Sequence, residues 1–410
     1  MLFKVYQKTV TLPSLLSATV HKVLAGEDKS MVMADGSLLA SYLLKRQSPP
    51  STNSGIRLKH SLDYDILKDE DLRAKLFRQR LNKQLVDHNI IVYKRRHGLG
   101  YLASRLTGTY GSTYRVLKEI SLRVPKFKPK TILDFGSGVG STYWAVDSVW
   151  GHEDKMFHSV DMSSSMLELA ARLREVADLP LDSFSDLRET RFLPGLGHYD
   201  MVVAAYSLSD LSSLDMVRKT LNTLWQQTKN FLVIIENGTM AGHSILSQFR
   251  NDTLESDYDQ DNSDSHNPIF APCPHAFTCP LISEGCYFKQ RTELSFIQNR
   301  DSVLKSNSYF TEKFSYLVLA KPVVIPLLEE VDPYFGRLIG PTLKRRRHVI
   351  TQLCAPDGRT ERKTFTKGKH SPFYKDIRRS DWGDIIKLTP PVQEVQEDIQ
   401  EDIQDEIELE

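Results

Sequence analysis

The period of the hydrophobic positions changes near residue 130. Before it the spacing is helical. Ile66, Leu72, Leu76, Leu81 and Leu85 recur at helical intervals across Asp63–Asp87, and Leu102, Leu106, Tyr110, Tyr114 and Leu117 do so across Gly100–Val124. Ser48–Gly55, rich in Ser, Pro, Asn and Gly, reads as a loop between helical parts. From Lys130 onward, short apolar runs alternate with amphipathic stretches. TILDF, MFHSVD, YDMVVAAYSL and NFLVIIEN predict strands, while VGSTYWAVDSVW, SSSMLELAARLREVA and LDMVRKTLNTLW predict helices, the second capped by Ser163. This alternation gives a parallel sheet with helices on both faces. ELSFIQ and FSYLVLAK predict a closing antiparallel pair. Asn251–Asn267 is polar, acidic and aperiodic, and reads as a loop. Past Lys321, HVITQLC and RTERKTFTKG predict two strands joined by an Ala-Pro-Asp-Gly turn.

The chain therefore divides into a helical N-terminal region (1–125) and a Rossmann-like domain (126–322) with a cysteine-containing insertion at 251–290. A basic β extension (323–390) and an acidic, disordered tail (391–410) follow. A length of 410 residues suits two to three domains of roughly 100–200 residues each. With 40% hydrophobic and 26% charged residues the composition is that of a globular protein. Its longest apolar runs, such as Phe231–Ile235, fall far short of the ~20 residues of a membrane helix, so no membrane partner is expected. No secretory signal pattern is present. Met1–Ala25 holds Lys4, Lys8 and Lys22 and no acid precedes Glu27, which reads either as a weak mitochondrial presequence or as the first amphipathic helix of the fold.

Charge changes this picture. The near balance of 53 bases and 52 acids hides a tail with nine acids and no base, so the body carries 53 bases against 43 acids. A basic body points to a polyanionic partner. Basic groups recur at Lys94–Arg96, Arg123–Lys130, Lys344-Arg345-Arg346-Arg347, Arg359–Lys369 and Arg378–Arg379. Such groups neutralise phosphates, while aromatics such as Tyr374 and Trp382 can stack on unpaired bases. The 344–347 run, just before Cys354, is the preferred RNA-contact candidate.

Two motifs carry candidate chemistry. In the first, Asp134-Phe-Gly-Ser-Gly-Val-Gly follows a strand and opens a helix, and Asp161 ends the next strand. Gly136, Gly138 and Gly140 let the backbone turn sharply and approach a ligand, and Asp161 suits ribose hydroxyls. The spacing is GxGxG, and a carboxylate at Asp134 would repel a pyrophosphate but suits the cationic amino-acid end of S-adenosylmethionine. The expected fold is α/β, of the seven-strand, class I S-adenosylmethionine-dependent methyltransferase type. The segment after the fourth strand, Ala204 to Asp210, lacks a Pro-Pro motif. Tyr206 reads equally as a substrate-side or a packed aromatic, Asp210 as a capping or loop residue, and no catalytic base stands out.

The second motif is Cys273, Cys279 and Cys286, with Cys354 far downstream and no other cysteine in the chain. This is not a disulfide-rich composition. Three close thiolates and one distant one can form a four-sulfur site for zinc or a 4Fe–4S cluster, and the wide intervals favour the larger group. Pro272, Pro274 and Pro280 restrain the loop. His275 reads as a surface histidine or as a replacement ligand.

Over roughly residues 98–388 the chain resembles the methyltransferase-like mitochondrial small-ribosomal-subunit assembly factors. The carriers are GYLASRLTGTYGSTYRVLKEI, PKFKPKTILDFGSGVGSTYWA, FLVIIENGTMAGHSIL, APCPHAFTCP, KRRRHVITQLCAPDGR and RRSDWGD. The resemblance implies a 4Fe–4S cluster on the four cysteines. It also implies binding to small-subunit ribosomal RNA and the small ribosomal subunit, in the mitochondrial matrix. Asn237-Gly238 stands where many relatives have Pro, and should still turn. An active ribosomal-RNA methyltransferase and a zinc-stabilised protein methyltransferase are the alternative functions.

Overall fold

TILDF becomes a central strand because both of its faces are covered. In the computed structural model, β2 (Thr131–Phe135) buries Ile132 against one hydrophobic core and Leu133 and Phe135 against another. The structure describes residues 2–4, 8–47, 93–180, 183–186, 198–211, 213–258, 267–298, 309–327, 334–368 and 371–388. The helix expected at Asp63–Asp87, the loop at Ser48–Gly55 and the acidic tail lie outside the described residues.

The main sheet runs in the order β4 (Ser183–Asp186), β3 (Met156–Asp161), β2, β5 (Tyr199–Ala205), β6 (Thr228–Asn237), β9 (Phe310–Ala320) and β7 (Ile269–Ala271), with β8 (Phe288–Thr292) also on β9. The strands from β4 to β6 are mutually parallel, and β9 runs against its neighbours. Counted from β2, this is the order 3-2-1-4-5-7-6 with a reversed seventh strand, the topology of class I S-adenosylmethionine-dependent methyltransferases. Period-2 burial sorts each strand between the cores: Met201 and Val203 of β5 face one, Val202 and Ala204 the other.

The sixth position differs from an unbroken strand. β7 pairs with Val318 and Leu319, β8 with Phe310–Phe314, and residues 272–287 leave the sheet between them. ELSFIQ is not a strand: β9, which contains FSYLVLAK, pairs with β8 through Phe310–Phe314 and with β7 through Val318 and Leu319. Phe288, Gln290 and Thr292 alternate inward, whereas ELSFIQ begins where Val10 bridges the end of β8.

Helices cover both faces. α1 (Ser14–Ala25) buries Leu16, Thr19 and Val20, so LPSLLSATVHKVL supplies a packed helix. α2 (Lys29–Gln47) crosses α3 (Arg95–Ser104), where a Cβ on Gly100 would meet the Gly36 backbone nitrogen at 3.0 Å. The expected helix at Gly100–Val124 is interrupted at Arg105, beyond which α4 (Leu106–Arg123) begins. α5 (Ser141–Trp150), α6 (Ser164–Val176), α7 (Leu214–Gln226) and α8 (Met240–Tyr258) follow. Ser163 caps α6 by accepting from the Met166 amide at 3.2 Å. α8 runs through Asn251–Tyr258, part of the expected loop, because Thr253 is buried and its hydroxyl bonds the Phe249 carbonyl. Asn237-Gly238 does turn, and Gly238 is required there because a Cβ would lie 2.8 Å from the Lys313 backbone.

A second, antiparallel sheet has the order β1 (Leu2–Phe3), β14 (Ile385–Lys387), β10 (Phe335–Leu338), β12 (His348–Cys354) and β11 (Leu343–Lys344), with β13 (Thr360–Thr366) on β12. β12 and β13 form the expected hairpin. The N-terminal region is not wholly helical: β1 pairs with β14, so the two ends of the described chain share one sheet. α9 (Ser371–Arg379) closes a small core of Leu338, Val349, Leu353, Phe365, Tyr374, Ile377 and Ile386.

Candidate functional site

The four cysteines meet at the junction of the two sheets. Cys273, Cys279 and Cys286 lie on the excursion between β7 and β8, and Cys354 ends β12. All four line one small cleft, together with His275 and Arg337. None is disulfide-bonded. Burial, reinforced by the other three cysteines, pushes the Cys286 thiol well up; Cys354 moves the same way, from burial, then Cys273 and Cys279. Cys279 is pushed up to about 11 by burial and by Cys273. Thiols so placed stay protonated unless a cation compensates their charge, which is what a metal centre does. Among the described residues, no three His, Cys, Asp or Glu side chains stand close enough to hold a single metal ion.

His275 is buried, not a surface residue, because its ring turns into the cleft. Its Nε2 lies 3.3 Å from Cys354 Sγ, and its Nδ1 has no hydrogen-bond partner among the described residues. Burial, then the charge of Arg250, lowers its pKa to about 4 and keeps it neutral.

Buried arginines build this junction. Cys354 stands opposite Arg337 in the β10–β12 register. Arg337 Nε donates to the Pro272 carbonyl at 2.9 Å and Nη1 to that of Gly383 at 2.8 Å, while the guanidinium pairs with Glu119 of α4. Glu119 also holds Arg123 at 3.2 Å and accepts from the Tyr316 hydroxyl at 2.8 Å. Burial alone would raise the Glu119 carboxyl; Arg337 and Arg123 outweigh it and hold it below its ordinary value. Arg250 of α8 donates to the carbonyls of His275 and Phe277, both at 2.8 Å. Arg115 joins Lys289 and Trp382 through their carbonyls at 2.7 Å. The sequence reading did not single out Glu119, Arg115, Arg250 or Arg337. The available signal was a charge inside an apolar segment, as in the FGRL of β10.

The glycine motif occupies the carboxyl end of the main sheet. Gly136, Gly138 and Gly140 have φ of 69°, 53° and 83°, so each needs the freedom of glycine. Asp161 accepts from the Gly138 amide at 2.9 Å and the Ser163 amide at 2.8 Å, which fixes its carboxylate at the end of β3. Asp134 is buried with Oδ2 unpartnered, and burial raises its pKa to about 7 despite Thr142 and Arg174. A Cβ on Gly136 would lie 2.3 Å from Ser207 Cβ, so the segment after β5 sits directly on the glycine turn. In that segment Tyr206 has φ 58° and its hydroxyl meets Ser112 Oγ at 2.8 Å and Glu312 Oε1 at 3.4 Å. Glu312 is paired in turn with Arg105 at 2.9 Å. Tyr206 is thus tied into a packed polar network. Asp210 lies in a single 3-10 turn.

The basic clusters separate by environment. Arg95 pairs with Glu27, and Arg96 with Asp35 at 2.8 Å, so these charges are offset. Arg123 is buried. Lys344, Arg345, Arg346 and Arg347 are all exposed on the turn between β11 and β12. Arg346 and Arg347 line an open groove with His348 and Lys367, and Arg378 donates to the Arg345 carbonyl at 2.7 Å. No helix among the described residues is long and apolar enough to cross a membrane.

The human "Ribosome assembly protein METTL17, mitochondrial" is 32% identical over 394 residues, covering 93% of this chain and 84% of that protein. The Saccharomyces cerevisiae "Ribosome assembly protein RSM22, mitochondrial" is 21% identical over 416 residues, covering 70% of this chain and 66% of that protein. Among solved structures, the Synechocystis magnesium protoporphyrin IX methyltransferase with bound SAM aligns with a TM-score of 0.30 and 12% identity, over 63% of this chain and 94% of that one. The fold assignment rests on the strand order itself. The family model described as "Mitochondrial small ribosomal subunit Rsm22" matches residues 95–387, which takes in the glycine loop, all four cysteines and the basic turn, and this chain belongs to that family.

Proposed function

We propose that this chain is an assembly factor for the mitochondrial small ribosomal subunit, acting in the matrix, which binds small-subunit ribosomal RNA and holds a 4Fe–4S cluster on Cys273, Cys279, Cys286 and Cys354. The observation that carries this reading is the convergence of four thiols on one cleft between the sheets, with an exposed run of four bases at the opposite end of β12 from Cys354. The donor set fits the cluster: four sulfurs and no carboxylate line the cleft. Zinc, which also accepts four thiolates, is the competing occupant of this donor set. When bound, the cluster supplies four strong sulfur bonds that cross-link β12 to the excursion from the main sheet. Arg337 and Arg250 hold the two sides in place through carbonyls at Pro272, His275 and Phe277. The residues Lys344–Arg347 meet RNA phosphates from the turn that leads into β12.

S-adenosylmethionine fits the other end of the main sheet. Asp134, with Oδ2 unpartnered among the described residues, would hold its ammonium, Gly136, Gly138 and Gly140 would let the backbone approach it, and Asp161 would accept from the ribose hydroxyls. This fit supports the second reading, an active ribosomal-RNA methyltransferase. Against it stand Ser207 on the glycine turn and the Tyr206–Glu312–Arg105 network, which fill the side a methyl acceptor would approach. The test is titration of small-subunit RNA with anaerobically prepared protein before and after iron chelation, with labelled S-adenosylmethionine present. Affinity that falls on chelation, without label on the RNA, supports the assembly factor. Label that Asp161→Ala abolishes supports the enzyme. RNA affinity indifferent to iron removes the coupling.

A further inference from the structure

The outward face of β8 and β9, next to the cysteine excursion, carries charges that the rest of the fold leaves unused. The register sets Lys289 directly opposite Lys313. Phe288, Gln290, Glu312 and Phe314 alternate inward and are buried, so Lys289, Arg291, Thr311 and Lys313 share the outer face. Like charges directly across a strand pair are destabilising. The only carboxylate of the paired segments, Glu312, points inward to Arg105. Among the described residues, neither lysine nor Arg291 has an ion-pair partner.

Aromatic rings take the place of carboxylates. Lys313 Nζ lies 3.5 Å from the Tyr287 ring centroid, Lys289 Nζ 5.2 Å from that of Trp382, and the Arg291 guanidinium carbon 4.4 Å from that of Tyr309. The Tyr287 and Trp382 rings are 5.4 Å apart. Rings in these positions hold the cations ordered at the surface without neutralising them. Ordering before binding lowers the entropy cost of a later contact.

We propose that this face is a landing surface for the phosphate backbone of single-stranded RNA, with Lys289, Lys313 and Arg291 as the phosphate contacts and Tyr287 and Trp382 beside them for unpaired bases. The inference rests on the RNA-binding reading above and adds a second surface to it. An extended polyanion relieves the lysine–lysine repulsion, and its charges repeat along its length as Lys289 and Arg291 do, about 6.7 Å apart along one strand. Neighbouring rings suit unstacked bases. Tyr287 directly follows Cys286, so the face is anchored to the cysteine site.

The test is fluorescence anisotropy of the full chain with a labelled single-stranded RNA oligonucleotide over a range of salt concentrations. Wild type is compared with Lys289→Ala/Lys313→Ala and with Arg345→Ala/Arg346→Ala/Arg347→Ala. The lysine variant is expected to bind about tenfold more weakly at low salt, with a salt slope shallower by about 1.4, or ~0.7 per lost phosphate contact. Its thermal midpoint in the absence of RNA should be no lower than wild type, since the repulsion is gone. Unchanged affinity and slope in the lysine variant, with weakened binding in the arginine variant, overturns this face and leaves the RNA reading standing. Wild type that fails to bind RNA overturns both. A polyglutamate peptide that binds through the same lysines while RNA does not overturns RNA as the occupant.

Discussion

At the glycine turn, Asp134, three glycines and Asp161 come from one contiguous strand–turn–helix–strand stretch. At the cysteine cleft, Cys354 arrives from a different sheet and must be brought to the other three. The first site is held by backbone geometry: positive φ at the glycines and two amides on Asp161. The second is held by buried charge, with Arg337 spanning Glu119, Pro272 and Gly383. The difference teaches that the glycine end forms as a consequence of the local fold, whereas the cysteine end depends on long-range pairs. At the first, Ser207 packs on the glycine turn and the Tyr206 hydroxyl is tied to Ser112 and Glu312. At the second, the strand that delivers Cys354 begins at an exposed basic turn.

Breaking the charge network should have the largest effect. Glu119→Gln leaves Arg337 and Arg123 buried without their counter-charge, at a cost of about 3–5 kcal/mol in urea unfolding. A loss below about 1 kcal/mol would mean that the sheets are joined by something else. Gly136→Ala comes next. Its Cβ would collide with Ser207 at a backbone angle suited to glycine, for about 1–3 kcal/mol of strain. Iron content in that variant should match wild type, because the two ends are built independently; lost iron would contradict the separation.

The contiguous site was legible in the sequence and the long-range one only in part. Asp134, the glycines and Asp161 are spaced by local geometry, so a strand–turn–helix pattern announces them. The cysteines stood out by chemistry and crowding, but their meeting depends on Arg337 facing Cys354 across β10 and β12. No sequence period encodes that register. His275 was misplaced on the surface for the same reason: its burial is set by Cys354 and Arg250, distant in sequence. ELSFIQ, an apolar run, predicts the closing strand, whereas the alternating Phe288, Gln290 and Thr292 of FKQRT make the pair. Likewise, Lys289 and Lys313 face each other only through that pairing.

A smaller contrast is in pH. Burial raises Asp134 to about 7, and also Glu236, whose Oε1 accepts from the Leu208 amide at 2.9 Å. Both carboxyls take up protons more readily folded than unfolded. Their stabilising contribution is therefore full below about pH 4, declines as pH rises, and is gone above about 7. Asp134→Asn should flatten this fall in thermal midpoint between pH 5 and about 7; an unaltered profile would show that Asp134 is already ionised. The smallest stability effect belongs to the exposed turn. Arg345→Ala/Arg346→Ala/Arg347→Ala should change unfolding free energy by no more than about 0.5 kcal/mol per site, yet make the salt slope of RNA binding shallower by about 2.

The most direct measurement is iron and acid-labile sulfide content, with visible absorbance, on anaerobically purified wild type and Cys354→Ser. The four-thiol account predicts about four irons and four sulfides per wild-type chain with a broad visible absorbance, and a marked loss of both in the variant. Stoichiometric zinc with no visible band, or iron retained in full without Cys354, would contradict it.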